Sequence, residues 1–504
     1  MTHPAAPTFA GQPTAFWVIC FTMMWERFSF YGMAALLILY FTNHFAKTEA
    51  DALLIYGAFT SLAFTAPLLG GMLADKFLGR MRSIKAGGIF LVLGHCTLAY
   101  EGDALEKAFS SDFTQALSGN LPVAAVYLGM AFIIVGIGLV KTPLTSCVGD
   151  LYPKESLKNE AAYTLFYMAI NLGTLFSAFA CGYLADRYGW GYGFGLAGIG
   201  VAVGFGVFVW CQGLILQQTP PAETLPPANG TSLAGLALLF MTFGVLGCLF
   251  FPQITGWVFA AHICVAIAYL AKVSSSDSAW GLTALLFIIA LFAFSGLYYA
   301  LYEQISTSIL LLTDGFVDLT ILGITLTAPQ FTGLNPFMVI VLGGLLSVVW
   351  KKLDEKNVVI GEANKLGFAY AVLALAFVCL LLGVGMADAV HMVPLSSVFI
   401  AYLLFAISEL FADPIILSAI SRKVPSRHQN TALGTYYLFM ASGFFGASVI
   451  ATLIVSAPDE TTQLAKDQAL DGFSAGYMQL ALLCGGVFIA LLAMNVWQKR
   501  ALRA

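Results

Sequence analysis

Fourteen apolar stretches of membrane-crossing length follow one another along 504 residues, near 16–42, 50–74, 82–100, 122–147, 160–184, 190–216, 233–251, 254–272, 280–312, 334–351, 366–386, 394–420, 431–456 and 475–497. A bilayer core needs about 20 apolar residues per spanning helix and offers no partner to a backbone amide, so each stretch is expected to be an α-helix. Composition agrees, with 59% apolar residues, 10% charged and 41 Phe. The chain reads as an all-α, polytopic membrane protein.

Basic residues stay on the cytoplasmic side of a membrane. With the N-terminus inside, Lys76, Arg80, Arg82, Lys85, Lys154, Lys158, Lys272, Lys351, Lys352, Lys356, Lys365, Arg422, Lys423, Arg427 and the terminal Lys499, Arg500 and Arg503 all fall on one face, whereas Lys47, Lys107, Arg187 and Lys466 fall on the other. Both termini are therefore expected in the cytoplasm. The opening MTHPAAPTFAGQP lacks a basic cluster and a small-residue cleavage site, and reads as a short tail. A net charge of −4 gives no reason to expect nucleic acid. The nine cysteines lie in or at the ends of apolar spans without CxxC or His/Cys metal spacing, so they read as small hydrophobes, and no cofactor is expected.

Charges at bilayer depth are the informative exceptions. A charged side chain there costs about 2.5–3.5 kcal/mol and persists where it faces a protein interior or an aqueous path. Glu26 and Arg27 stand in the first span, Lys141 in the fourth, Glu303 in the ninth, and Glu409 and Asp413 in the twelfth. Four carboxylates against two cations leave an excess of acid, which suits proton exchange. On the first span Met23, Glu26, Arg27, Phe30, Tyr31 and Ala34 share one face by their spacing. Adjacent helical residues diverge by about 100°, so Glu26 and Arg27 are each expected to pair with another helix, with Lys141 the partner of Glu26 or Glu303. Asp413, followed by Pro414, can equally serve backbone near a kink, and His95 in LGHC reads as a satisfied packing histidine. Asn171, Tyr299, Gln304, Asn335, Ser408 and Tyr436 add uncharged polar positions on several spans, as a solvated cavity requires.

Spans one to six end at QQTPPAETLPPANGTS (217–232), where no helix continues. The expected domains are a six-helix bundle over 1–216, a linker with an inserted two-helix hairpin over 217–278, and a second six-helix bundle over 279–504. The hairpin carries no interior charge and is expected to face lipid or brace the halves. Between spans two and three, GGMLADKFLGRMR (70–82) resembles the loop signature of the major facilitator superfamily, in which Gly permits close packing and Asp75, Arg80 and their neighbours lock adjacent helices.

WERFSFYGM (25–33), GLVKTPLTSCVGDLY (138–152), FYMAINLG (166–173), YEQISTS (302–308), QFTGLNP (330–336) and SELFADPIILS (408–418) complete a set that resembles the proton-dependent oligopeptide transporters, a peptide transporter family of that superfamily. The two extra spans are similar to the pair found in bacterial members. The resemblance implies alternating access around a central site and uptake of di- and tripeptides with protons. The inserted pair and the absence of targeting features make the cytoplasmic membrane of a bacterium the expected location, and a monomer is expected. Carried over by position, Asn171, Asn335 and Glu409 hold the peptide's amino group, Lys141 its carboxylate and Tyr31 its backbone. Ser408, Tyr299 and Tyr436 join the substrate site, Glu303 is a proton site and salt-bridge partner of Lys141, and Glu26 and Arg27 belong to the coupling motif.

The departures from the family pattern are equally specific. Met23 stands where the first-span motif has a further Glu, Ala34 replaces an Arg, Phe30 and Phe64 replace tyrosines, and Tyr299 and Tyr436 replace tryptophans. With the cation at position 34 missing, the expected preference shifts toward longer peptides, or peptide-like compounds whose carboxylate is blocked or differently placed. A proton-independent facilitator or exporter of another small organic molecule is the alternative on the same scaffold. A receptor would be expected to carry a soluble signalling segment, which this sequence lacks. An intramembrane enzyme is disfavoured because the sequence has neither HExxH nor GxSxG.

Overall fold

The structure, a computed structural model, describes residues 8–9, 11–100, 121–152, 157–218, 230–276, 281–355, 361–425, 428–455 and 463–501. Most of the expected boundary segment 217–232 lies outside them, as do Lys107, Lys154, Lys356, Arg427 and Arg503. So do the side chains of Lys158, Lys351, Lys352, Asp413, Arg422, Lys499 and Arg500.

Every one of the fourteen apolar stretches carries helix. In chain order these are α1 (Thr14–Asn43), α2 (Glu49–Leu73), α3 (Arg80–Ala99), α4 (Leu121–Asp150), α5 (Leu157–Tyr188), α6 (Trp190–Gln218), α7 (Gly230–Phe250), α8 (Pro252–Ser276), α9 (Leu282–Tyr302), α10 (Ser308–Phe316), the short α11 (Ala328–Thr332), α12 (Leu334–Glu355), α13 (Glu362–Gly385), α14 (Leu395–Lys423), α15 (Gln429–Ile454) and α16 (Gln463–Ala501). Among the described residues, twelve spans are long and apolar enough to cross a bilayer. Neither α1 nor α3 is among them, since α1 carries Glu26 and Arg27 and α3 opens with RMRSIK. Protein shelters that polarity, because 21 of the 30 residues of α1 are buried.

Two expectations need correction. The signature over 70–82 is not a loop: α2 runs on through a π-helical turn (Ala74–Leu78), closed by Gly79 N–H donating to Ala74 O at 2.8 Å, and α3 starts at Arg80. Gly79 alone breaks the helix, at φ +75°, a conformation that only glycine adopts without strain. The ninth stretch, 280–312, is not one helix either, because a 3-10 turn (Glu303–Ser306) separates α9 from α10.

The molecule divides into two compact units, Met1–Ala46 with Leu62–Phe251, and Lys47–Ser61 with Pro252–Ala504. Within the first, α1 packs on α5 and α6, and α3 on α4 and α6. Glycines make the α3–α4 seam: a Cβ on Gly87 would stand 2.8 Å from Gly136 O, and one on Gly94 2.6 Å from Gly129 O. Small residues seven apart on two antiparallel helices thus bring backbones together, the usual source of helix association where lipid supplies no hydrophobic drive. Within the second, α9 packs on α14 and α15, and α13 on α14 and α16. The inserted pair is shared out, α7 resting on α4 in the first unit and α8 on α15 in the second. Only 22% and 17% of their spanning windows are buried, which suits a lipid-facing pair.

Candidate functional site

On the first unit, the face predicted for α1 is turned inward. Met23, Glu26, Arg27, Phe30 and Ala34 are all buried, and Tyr31 alone keeps partial exposure. Glu26 and Arg27 do not reach for other helices. Arg27 Nε donates to Glu26 Oε2 and Nη2 to Glu26 Oε1, both at 2.5 Å, with the two side chains 4% and 2% exposed. The expectation of separate partners fails because both side chains are long enough to bridge the 100° between them. Position 23, moreover, supplies a buried methionine instead of a second carboxylate. The guanidinium also lies 5.0 Å from the Phe30 ring and 5.9 Å from that of Tyr31.

Lys141, half-buried on α4, places its ammonium 4.7 Å above the Phe64 ring. Within this unit, among the described residues, no carboxylate lies within 4.0 Å of it, so the expected Lys141–Glu26 pair is not formed. Arg27 already occupies both oxygens of Glu26. Asn171, 9% exposed on α5, spends its amide on the Tyr167 carbonyl one turn back, at 3.0 Å. Among the described residues His95 is satisfied on one side only: Nε2 lies 2.9 Å from Ser29 Oγ on α1, while Nδ1 is buried without a hydrogen-bond partner. Where α3 begins, Arg80 pairs with Asp150 at the end of α4, a residue outside the 70–82 signature.

On the second unit the polar residues converge where α9 breaks. Tyr302 ends α9, Glu303 opens the 3-10 turn, and the freed backbone is held by Gln304, fully buried. Gln304 Nε2 donates to Ala300 O and Ala447 O, both at 3.0 Å, and its Oε1 accepts from Ser308 Oγ at 2.7 Å. Irregular backbone at membrane depth is stable only with such replacement bonds. Glu409 Oε2 accepts from Tyr302 OH at 2.5 Å and from Asn335 Nδ2 at 3.3 Å, and Asn335 Nδ2 also reaches Tyr302 OH at 2.6 Å. Glu303 lies close enough to Glu409 for the two charges to interact.

Ser408 is fully buried and spent on Tyr298 OH at 2.9 Å and Ala369 O at 2.8 Å. Tyr299 stacks on Phe444 at 5.6 Å, and Tyr436 lies 5.9 Å from Phe292. Sequence reading singled out neither Tyr298 nor Tyr302. Their spacing of four, one residue short of the intramembrane Glu303, was the available signal.

The sequence profile of the POT family (PTR2) matches residues 81–467, more than half of the chain. The chain belongs to the POT family. This POT family member is 28% identical over 488 residues to dipeptide and tripeptide permease A of Pectobacterium carotovorum subsp. carotovorum (strain PC1), covering 96% of this chain and 90% of that permease. Among solved structures, peptide transporter POT in complex with sulfate is 25% identical with a TM-score of 0.79, covering 97% and 96% of the two chains. A POT family transporter in complex with 5-aminolevulinic acid matches the fold with a TM-score of 0.79 at 22% identity over 96% and 97% of the two chains. The POT protein is therefore an all-helical, multi-pass transporter of the major facilitator type, and not an enzyme.

Proposed function

We propose that this POT family member takes up di- or tripeptides, or peptide-like compounds, together with protons by alternating access across a bacterial cytoplasmic membrane, with both termini inside. The observation that carries this reading is the cluster at the broken helix: Glu409 and Asn335, brought together by α12 and α14, supply the acceptors an ammonium needs. The relatives named as dipeptide and tripeptide permeases, matched over nearly their whole length, support the same substrate class. Lys141, whose ammonium has no carboxylate of its own unit within 4.0 Å among the described residues, serves as anchor for the substrate's carboxylate. Glu303, at the helix break and near Glu409, serves as the proton site. The neutral Glu26–Arg27 pair holds the coupling helix in register.

One observation favours proton-independent facilitation as a second reading. Position 23, a carboxylate in the family pattern, is a methionine 1% exposed, which removes a titratable group from this face. Uptake of a labelled dipeptide into proteoliposomes with and without an inward proton gradient separates the two, with Lys141→Ala as the blank. Accumulation above equilibrium only with the gradient is the expected result. Uptake that stops at equilibrium under both conditions sinks coupling, and uptake undiminished in Lys141→Ala sinks the anchor.

A further inference from the structure

Three helices of the second unit meet at one carboxylate oxygen. Tyr302 OH from the end of α9 and Asn335 Nδ2 from α12 both bond Glu409 Oε2 on α14, and the amide also bonds the phenol, so the three groups close a triangle. The phenol is fixed by packing: its ring stacks on Tyr298 at 5.7 Å and 19° and lies 5.8 Å from Phe405. Tyr298 is itself tied to Ser408, the residue before Glu409, and Ser408 to the Ala369 carbonyl of α13. Asn335 Oδ1, in contrast, is buried without a hydrogen-bond partner among the described residues, an acceptor in reserve beside the carboxylate.

We propose that Tyr302 is a specificity-determining residue that stands in for the substrate's amino group at Glu409, so that this transporter accepts peptides whose amino end is acylated. The proposal rests on the peptide reading above and refines it. A site built to bond a substrate group rejects analogues lacking that group mainly because its own buried polar atoms are then left unpaired. Tyr302 removes that penalty from within. With the phenol and the amide on Oε2, Glu409 stays hydrogen-bonded whether or not an ammonium arrives. An ammonium then adds bonds, to the carboxylate and to Asn335 Oδ1, without being indispensable.

The experiment is competition against uptake of labelled dialanine by unlabelled dialanine and by N-acetyl-dialanine, using full-length protein in proteoliposomes. The readout is the ratio of the two half-inhibitory concentrations. In the unaltered protein the acetylated peptide is expected to compete within about tenfold of the free one. In Tyr302→Phe, which keeps the ring stack and loses only the hydroxyl, the ratio is expected to rise by about a further tenfold, what loss of one hydrogen bond to a charged group is worth. A ratio that stays the same or falls in Tyr302→Phe overturns the proposal. Should the variant not fold, the unaltered protein still decides, because rejection of the acetylated peptide by more than about a hundredfold overturns it too. Failure of the peptide reading looks different: neither dialanine uptake nor a thermal shift with either peptide, which discards both ideas together.

Discussion

Glu26 and Arg27, consecutive on α1, grip one another through two parallel hydrogen bonds of 2.5 Å while both side chains stay almost wholly out of contact with solvent. The fork geometry of a guanidinium matches a carboxylate in this bidentate way, and the pair enters the helical interior as a neutral unit. Such a pair adds little net stability over an apolar replacement, yet each partner is indispensable to the other.

Breaking the pair from one side is therefore expected to be worse than deleting it. Glu26→Gln leaves a buried guanidinium uncompensated and is expected to destabilise by about 3–5 kcal/mol, with Arg27→Met similar. The double variant Glu26→Gln/Arg27→Met should recover a large part of that loss. Thermal unfolding of the four proteins in detergent completes the cycle; strictly additive losses would mean that the two residues act separately.

Two glycines of the first unit separate close contact from mere occurrence. A Cβ on Gly173, at the end of FYMAINLG, would drive into the Met24 carbonyl on α1, whereas one on Gly206 in α6 meets nothing within 4 Å. Gly173→Ala is expected to cost about 1–3 kcal/mol through forced separation of α1 and α5. Gly206→Ala should be neutral or stabilise by up to about 1 kcal/mol through helix propensity. Equal melting temperatures for the two variants would refute the contact.

Helix number and place were legible because lipid leaves a spanning segment no alternative to helix, so apolar length alone located all fourteen stretches. The same reasoning could not see the break at Glu303, since a 3-10 turn inside an apolar run changes no hydropathy. Only the tertiary bonds of Gln304 to Ala300, Ala447 and Ser308 make it stable. Charge made Glu26, Lys141, Glu303 and Glu409 stand out as candidates in the sequence. Tyr302 was missed because tyrosine in a membrane helix is unremarkable until its hydroxyl is seen on Glu409. Pairing of neighbours on α1 was misjudged by treating side chains as rigid radial vectors, when arginine and glutamate bend back along the surface.

Outside the spans, Tyr152 follows α4 and donates its hydroxyl to Gln12 Oε1 at 2.6 Å, holding the segment before α1. Burial, with a smaller contribution from Cys20, pushes this phenol up from 10 to about 12. The unfolded chain loses the proton first, so the stabilisation is complete below pH 10 and declines as pH rises toward 12. Tyr152→Phe should melt earlier at pH 8 and show a shallower fall between pH 10 and 12 than the unaltered protein. Parallel curves for the two proteins across that window would sink the assignment.

At the break after α9, the amide of Gln304 does the bonding that the two helix ends cannot. Its Nε2 satisfies a carbonyl of α9 and one of α15, and its Oε1 takes the hydroxyl of the first residue of α10. Gln304→Leu keeps the volume but strands these groups in an apolar interior, where each unsatisfied one costs about 1–3 kcal/mol. Ser308→Ala removes a single donor and leaves both carbonyls bonded, so its loss should be the smaller. Because Glu303 precedes Gln304 in the same turn, Gln304→Leu is also expected to lower gradient-driven accumulation more than equilibrium uptake. If Gln304→Leu melts like Ser308→Ala and retains full accumulation, the turn is held by something other than this amide.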